Sequence, residues 1–430
     1  MVDRAEGIYI WDATGKRIID GSSGAMVVNI GHGNQHVLQR MRDQMDNATF
    51  AYRLHFENES AEQLAADVAS RMPAGLDRVF FVSGGSEAVE SCLKMARQYT
   101  LANHQPRRYK VISRFPSYHG STLGALAVTG YDTLTAPFEP MMRTMPKISA
   151  PTAYLDRDEL TMDERGLRYA GLLEAEIVAQ GPETVLAFIM EPIGGASTGA
   201  LVAPDTYYAR IREICTRYGV LLIYDEVMTG AGRTGTFLAA EHWGITPDLI
   251  ALSKGFASGY CSLGAMVAPS WMAEAVLDAG GFQHGHTYAG NPLACAAGLG
   301  VLEEIDRLGL IDNAATIGVR LQHELEQLAV RFPFIGDVRG KGLLLACEMV
   351  AEPESMRPLP RSLDAYLRVV DLAYERGLVI YSRRTRGGSE GDHFMVCPPM
   401  ITTEAQVAEI ITILDDTLSA LATELSLPIA

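Results

Sequence analysis

Apolar and polar positions change rhythm several times along this chain, and each change predicts an element. The opening stretch GIYIWDATGKRIIDG alternates with a period of two on both sides of Thr14-Gly15, which predicts a β-hairpin. Between Ser60 and Arg71 the apolar spacing turns helical, with Ser60 placed to cap the helix. DRVFFVSGGSEAVESCLKMARQY then predicts a short apolar strand, a glycine-rich turn and a long helix. Three further apolar runs, VLAFIMEP, GVLLIYDEV and DLIALSK, are bounded by turn residues and separated by helical stretches such as Asp205 to Tyr218. Strands of this kind alternating with helices predict βαβ units and a parallel sheet covered on both faces.

After about Leu308 the rhythm changes again. A helical stretch, IGVRLQHELEQLA, precedes VRGKGLLLACEM, which reads as a strand; a polar, proline-rich insertion over 351–361 and a final helix come after it. The expected architecture is α/β. Residues 46–308 form a large domain with a mainly parallel sheet flanked by helices, and 309–430 a smaller α+β domain that the N-terminal segment 1–45 joins.

Composition narrows the class. The 430 residues are 48% hydrophobic and 20% charged, enough to bury a sizeable core. A formal net charge of −16 argues against a nucleic-acid partner, which needs a basic footprint. The six cysteines stand far apart without a CxxC pair, as expected of reduced thiols in a cytoplasmic protein. No run of 18 apolar residues occurs and MVDRAEGIYIWD has no apolar signal core, so neither membrane insertion nor export is expected.

Chemistry gathers at predicted strand ends, where ligands sit in open parallel sheets. The turn SGGSEA, Ser83 to Ala88, opens a helix with free N–H groups, which reads either as an anion site or as a tight turn. Asp225 closes LLIYDEV, either capping the next helix or pairing with a cationic ring nitrogen. Lys254 ends IALSKGF, where desolvation would supply a neutral amine for Schiff-base chemistry. Tyr118 in SYHG offers a ring for stacking, or ordinary packing. Phosphate, basic ring nitrogen, flat face and aldehyde belong together in one ligand, pyridoxal phosphate.

The motifs FVSGGSEAVE, SYHGSTLGAL, MEPIGGA, LLIYDEVMTGAGRTG, PDLIALSKGF and HGHTYAGNPLACAAG succeed one another over nearly the whole chain. In that order they resemble the class III, fold-type-I pyridoxal-phosphate aminotransferases. The resemblance implies that Lys254 is the Schiff-base lysine and proton shuttle and that Asp225 pairs with the pyridinium nitrogen. It implies that Tyr118 and Val227 sandwich the ring and that Gly84, Gly85 and Ser86 bind the phosphate. His119 and Glu191 are implied to border the cofactor. Thr287 is implied to reach the phosphate of a neighbouring subunit, giving a homodimer with shared sites, or a tetramer built from it. The spacing of His284 and His286 would suit a metal, but the resemblance implies none.

The implied reaction is ping-pong transfer of an amino group from an ω-amino acid or amine to a keto acid. The same cofactor chemistry also serves decarboxylases, lyases and racemases, while a non-catalytic binding protein would not need both Lys254 and Asp225. Where many glutamate-using relatives carry EPIQGE, this chain has EPIGGA, which places Ala196 at the gate and resembles pyruvate-preferring ω-transaminases. Ala25-Met26 replaces a bulky pair and implies a wider pocket, with Met26 on its wall. Arg383, Arg384 and Arg386 in YSRRTRGGSEGDHF are all candidates for a substrate acid group, as is Arg53 in AYRLHFEN.

Overall fold

The computed structural model describes residues 1–430. Three strands open it: β1 (Val2–Glu6), β2 (Tyr9–Asp12) and β3 (Arg17–Asp20), antiparallel in that order. The β2–β3 hairpin turns at Thr14-Gly15 as predicted. Asp12 Oδ1 accepts from the N–H groups of Thr14 at 2.9 Å and Lys16 at 3.0 Å, and Gly15 adopts φ +85°. On its other edge β3 pairs in parallel with Leu378–Val379, which attaches this hairpin to the C-terminal part of the chain.

The central sheet has seven strands: β4 (Leu76–Val82), β5 (Lys110–Phe115), β6 (Lys147–Ser149), β7 (Val185–Met190), β8 (Leu221–Asp225), β9 (Leu249–Leu252) and β10 (Gly264–Pro269). Their spatial order is β4-β10-β9-β8-β7-β5-β6, and β10 alone runs against its neighbours. Every residue of β7, β8, β9 and β10 is buried, which is why the sequence shows continuous apolar runs instead of alternation. Successive side chains still divide between two cores. Phe188, Leu222 and Tyr224 join Leu173, Ile177, Tyr207 and Ile211 on one face, while Ile189 and Ile223 join Val89, Cys92 and Ala96 on the other.

The helix predicted from Ser60 runs Glu59–Ser70, and its cap is Asn58. Asn58 is extended and its Oδ1 accepts from Ala61 N at 2.9 Å, whereas Ser60 already lies inside the helix and donates to Gln44 Oε1. The Asp205–Tyr218 helix matches its prediction end to end. VRGKGLLLACEM is not one strand but falls across two, β11 (Ile335–Lys341) and β12 (Leu344–Glu352), which turn back at Gly342-Leu343. Gly342 has φ +56°, and a Cβ there would lie 2.5 Å from the Thr234 carbonyl carbon. Only glycine lets the hairpin turn this close to the central body. Short strand β13 (Arg357–Pro358) lies in the proline-rich insertion, β14 is Leu378–Val379, and β15 (Tyr381–Arg386) and β16 (Glu390–Val396) complete an antiparallel order β11-β12-β16-β15. No helix is long and apolar enough to cross a membrane.

Arg233 fastens these parts together. It is fully buried in the loop after β8, and burial lowers its pKa to about 10. Its Nη1 donates to the carbonyls of Leu343 (3.2 Å), Cys397 (3.2 Å) and Pro398 (2.6 Å). Its Nη2 donates to Ser23 Oγ at 3.1 Å and Asn29 Oδ1 at 2.6 Å. Methionine keeps much of the volume but leaves these acceptors unpaired. Arg233→Met is therefore expected to lose on the order of 3 kcal/mol of stability, read as a lower urea midpoint.

Candidate active site

The carboxyl ends of β8 and β9 open on a cleft of about 460 Å³. Lys254 comes after β9 by a single residue and lines this cleft with φ +50°, a left-handed conformation that non-glycine side chains adopt only at a cost. Desolvation lowers its pKa, opposed by the nearby charges of Asp225 and Glu191. A lysine held this way supplies a free amine at a lower pH than an exposed one.

Asp225 ends β8 and is 5% exposed. Both of its oxygens accept hydrogen bonds: Oδ2 from His119 Nδ1 at 2.8 Å, and Oδ1 from Val227 N at 3.1 Å. The carboxylate is thereby fixed in orientation at the cleft floor. His119 donates its backbone N–H to Thr129 Oγ1 at 2.9 Å, and its Nε2 is buried without a partner in the chain. Glu191, just beyond β7, accepts from Gly195 N at 3.0 Å through Oε1, while its Oε2 is unpartnered with Arg114 Nη2 3.7 Å away. Desolvation raises the pKa of Glu191, and the charges of His119 and Arg114 oppose that rise. Behind the floor, Glu226 is buried and accepts from Ala239 N at 3.0 Å and Ala240 N at 2.9 Å. Desolvation raises its pKa to about 7.

The glycine-rich turn after β4 delivers the helix Gly85–Ala102 to the cleft. Its N-cap, Gly84, is extended and has no side chain to offer, so the first-turn N–H groups are left free of a side-chain cap. A Cβ on Gly85 would lie 2.8 Å from Val227 Cγ1, so the backbone passes hard against that side chain. Ser86 Oγ accepts from Ser121 N at 2.9 Å and borders the same space. Tyr118 lines the cleft with its hydroxyl 2.9 Å from Ser121 Oγ.

Other sequence candidates separate sharply. Arg383 lines the cleft, as do Ala25, Met26 and Ala196. Arg384 does not: it is buried, ion-paired with Asp364, and its guanidinium lies 4.8 Å from the Tyr366 ring centroid. Arg386 faces a different cavity, with Phe115, Thr152 and Ser355, and donates to the Met356 carbonyl. The cause is strand parity, since residues 383 and 384 on β15 point to opposite faces. Arg53 is also outside the cleft, with its guanidinium 5.0 Å from the Phe80 ring centroid. Thr287 is exposed and does not line the cleft of its own chain. His284 is occupied within the chain: Lys94 Nζ donates to its Nδ1 at 3.0 Å, and Ser91 Oγ is 3.0 Å from Nε2. Desolvation lowers its pKa to about 4.

Several cleft residues carried no warning in the sequence. Leu134 and Phe138 lie on short turns after Gly130, where no periodicity marks them. Tyr381 could have been found, because it is two residues from Arg383 on one strand and so shares its face. Ser197 sits in the glycine-rich EPIGGASTGA segment, where nothing but proximity to Ala196 singles it out.

The donor set fits pyridoxal phosphate. A helix start without a side-chain cap and the Ser86 hydroxyl suit a phosphate; a buried carboxylate suits a ring nitrogen; a desolvated amine suits an aldehyde. Fold and site together define a fold-type-I, pyridoxal-phosphate-dependent transferase.

Comparison with known proteins narrows this class. The family model "Aminotransferase class-III" matches residues 1–418. The chain is 39% identical to the uncharacterized aminotransferase YodT of Bacillus subtilis, covering 98% of this chain and 95% of that one. It is 34% identical to the putrescine–pyruvate aminotransferase of Pseudomonas aeruginosa, covering 98% and 91% respectively. The crystal structure of an (S)-enantioselective ω-transaminase from Thermomicrobium roseum matches with a TM-score of 0.93 at 36% identity, covering 98% and 92%. The chain belongs to the class III aminotransferases. It is an enzyme that transfers amino groups between an amine donor and a keto acid with pyridoxal phosphate as cofactor.

Proposed function

We infer that this enzyme is an ω-aminotransferase that takes the amino group from an ω-amino acid or amine and passes it to a keto acid, with pyruvate favoured. The observation that carries the reading is that Ala196 and Arg383 both line the cleft, and that Arg383 is the one arginine to do so. A single guanidinium in a cleft it shares with Ala196 suits a substrate with one acid group. A second carboxylate would meet apolar surface there. The similarity to a putrescine–pyruvate aminotransferase supports the same choice, and family membership favours amino transfer over decarboxylation, elimination or racemisation.

When bound, the cofactor supplies an aldehyde for amine exchange and an electron sink for the pair released at the substrate Cα. Lys254 Nζ would hold that aldehyde, and as a free amine it would carry the proton away from the substrate Cα. The Asp225 carboxylate would face the ring nitrogen and favour its protonated form. Tyr118 and Val227 would bracket the ring, and the N–H groups at Gly85 and Ser86 the phosphate, with Gly84 supplying the turn. His119 orients Asp225, and Glu191 holds the Gly194–Ala200 turn through Gly195 N. Arg383 would orient the keto acid so that its carbonyl, not its carboxylate, meets the reacting centre.

We extend the reading to assembly. Exposed side chains at Phe50, Leu54, Phe56 and Tyr288, with the Phe50 and Tyr288 rings in contact next to the exposed Thr287, support a homodimer in which Thr287 serves the partner's site. Six unpaired cysteines, five of them buried, support a cytoplasmic setting. The three sheets support the division at residues 45 and 308 into an N-terminal segment, a large domain and a small one.

The test is a panel of ω-amino acids, diamines and aromatic amines, assayed with pyruvate and with 2-oxoglutarate. Pyruvate is expected to give a kcat/KM about tenfold higher, equivalent to one carboxylate left without a partner. Arg383→Gln is expected to raise the pyruvate KM about tenfold or more, through loss of a charged hydrogen-bond partner. A clear preference for 2-oxoglutarate would overturn the acceptor assignment.

A further inference from the structure

Six hydroxyl side chains line the cleft, and Ser197 alone among them has its oxygen buried with no hydrogen-bond partner. The residue is 4% exposed. A buried hydroxyl left unpaired is costly, and on a residue that lines the cleft a rotation about χ1 toward the cavity lets it meet a ligand atom.

The wall is rigid on every side. Within the turn, Thr198 N and Ala200 N donate to the Gly195 carbonyl at 3.2 and 3.3 Å, and Gly195 N donates to Glu191. From beneath, Arg339 Nη2 donates to the Thr198 carbonyl at 2.9 Å. Arg339 is itself held by Glu348 at 2.7 Å and Asp337 at 2.8 Å. A Cβ on Gly199 would lie 2.9 Å from both Arg339 Nη2 and the His393 ring, so the turn is pressed against these side chains.

This packing also locates Ser197 relative to Arg383. His393 on β16 stands directly opposite Arg383 on β15, and opposed residues on an antiparallel pair project from the same face. The turn that rests on His393 therefore borders the same end of the cleft as the Arg383 guanidinium. Arg383 Nη2 donates to Tyr381 Oη at 2.9 Å, which leaves its other donors for a ligand.

We propose that Ser197 Oγ donates a hydrogen bond to the carboxylate of the keto acid, completing with Arg383 a two-sided acid subsite. The proposal rests on the aminotransferase reading above and adds the residue that senses the acid group from the loop side. It is a specificity determinant: an acceptor without a carboxylate gains nothing from it.

The experiment compares wild type, Ser197→Ala and Ser197→Thr, each loaded with the amine form of the cofactor. The single half-reaction is monitored with pyruvate and with propanal, which has the same length but no acid group. Binding of oxamate, an unreactive isostere of pyruvate, is measured separately by calorimetry. Ser197→Ala is expected to lower kcat/KM for pyruvate about tenfold and weaken oxamate about tenfold, the value of one hydrogen bond to a charged group. Propanal is expected to change less than about twofold by the same arithmetic, and Ser197→Thr, which keeps the hydroxyl, to stay near wild type. Unchanged oxamate affinity in Ser197→Ala, as when the hydroxyl merely holds a water, overturns the proposal. Equal losses with pyruvate and propanal overturn it too. Because oxamate binding needs no turnover, it still decides the matter should wild type prove not to use pyruvate, an outcome that would strike the acceptor reading instead.

Discussion

Lys254→Ala is expected to lower amino transfer at least about a thousandfold, at the upper end of what one positioned acid–base group contributes. Lys254 is the only amine in the cleft. Desolvation favours its neutral form, while Asp225 and Glu191 limit how far. Alanine removes both the nucleophile that meets the aldehyde and the base that moves the Cα proton. No neighbour can replace it: His119 is bound to Asp225 on one side and buried, and Glu191 already accepts from the backbone. The visible absorbance of the lysine-bound cofactor should vanish with the activity, while far-ultraviolet circular dichroism stays unchanged. An added small amine such as methylamine should return part of the rate. An alanine variant that keeps the absorbance band and turns over normally would remove Lys254 from the mechanism.

The second large effect is expected at Asp225. Asp225→Asn should lower kcat by about 10²–10³, the usual cost of deleting one preorganised electrostatic partner. The change is isosteric, so the loss is not one of packing. Both carboxylate oxygens accept, from His119 Nδ1 and Val227 N. An asparagine has one oxygen for two donors, so its amide NH₂ must face a donor or the pair must rearrange. Charge and orientation are lost together. The cofactor should also bind more weakly and show a shifted spectrum, because a neutral amide no longer favours a protonated ring nitrogen. Normal spectrum and normal kcat in this variant would show that the ring nitrogen has another partner.

What the sequence made legible was the backbone frame and the residues at strand ends. An apolar run buried on both faces has few alternatives, so the strands that end at Asp225 and just before Lys254 were marked by composition alone. The aminotransferase chemistry was legible too, but only as a combination, because each motif taken singly had an ordinary explanation. Three kinds of information were missing. Strand parity relative to the cleft was one: three arginines stand within four residues, and only the fold shows that Arg383 faces inward while Arg384 meets Asp364. Neighbouring caps were another: Asn58 and Ser60 are both good cap residues, and in the fold Asn58 caps the helix while its Nδ2 donates to the Gly290 carbonyl and Ser60 turns to Gln44. The third was position within irregular turns. Ser197, Leu134 and Phe138 reach the cleft through segments without periodicity, and a pattern of apolar spacing cannot register them.

The left-handed backbone at Lys254 has a consequence for how this enzyme changes over generations. A lysine at φ +50° is held there by its surroundings against its own preference. Glycine would relax that conformation at once, and the protein would keep its fold and lose its reaction. Selection for stability and selection for activity thus pull in opposite directions at a single codon. Glycine here would mark a lineage that kept the scaffold after abandoning the chemistry.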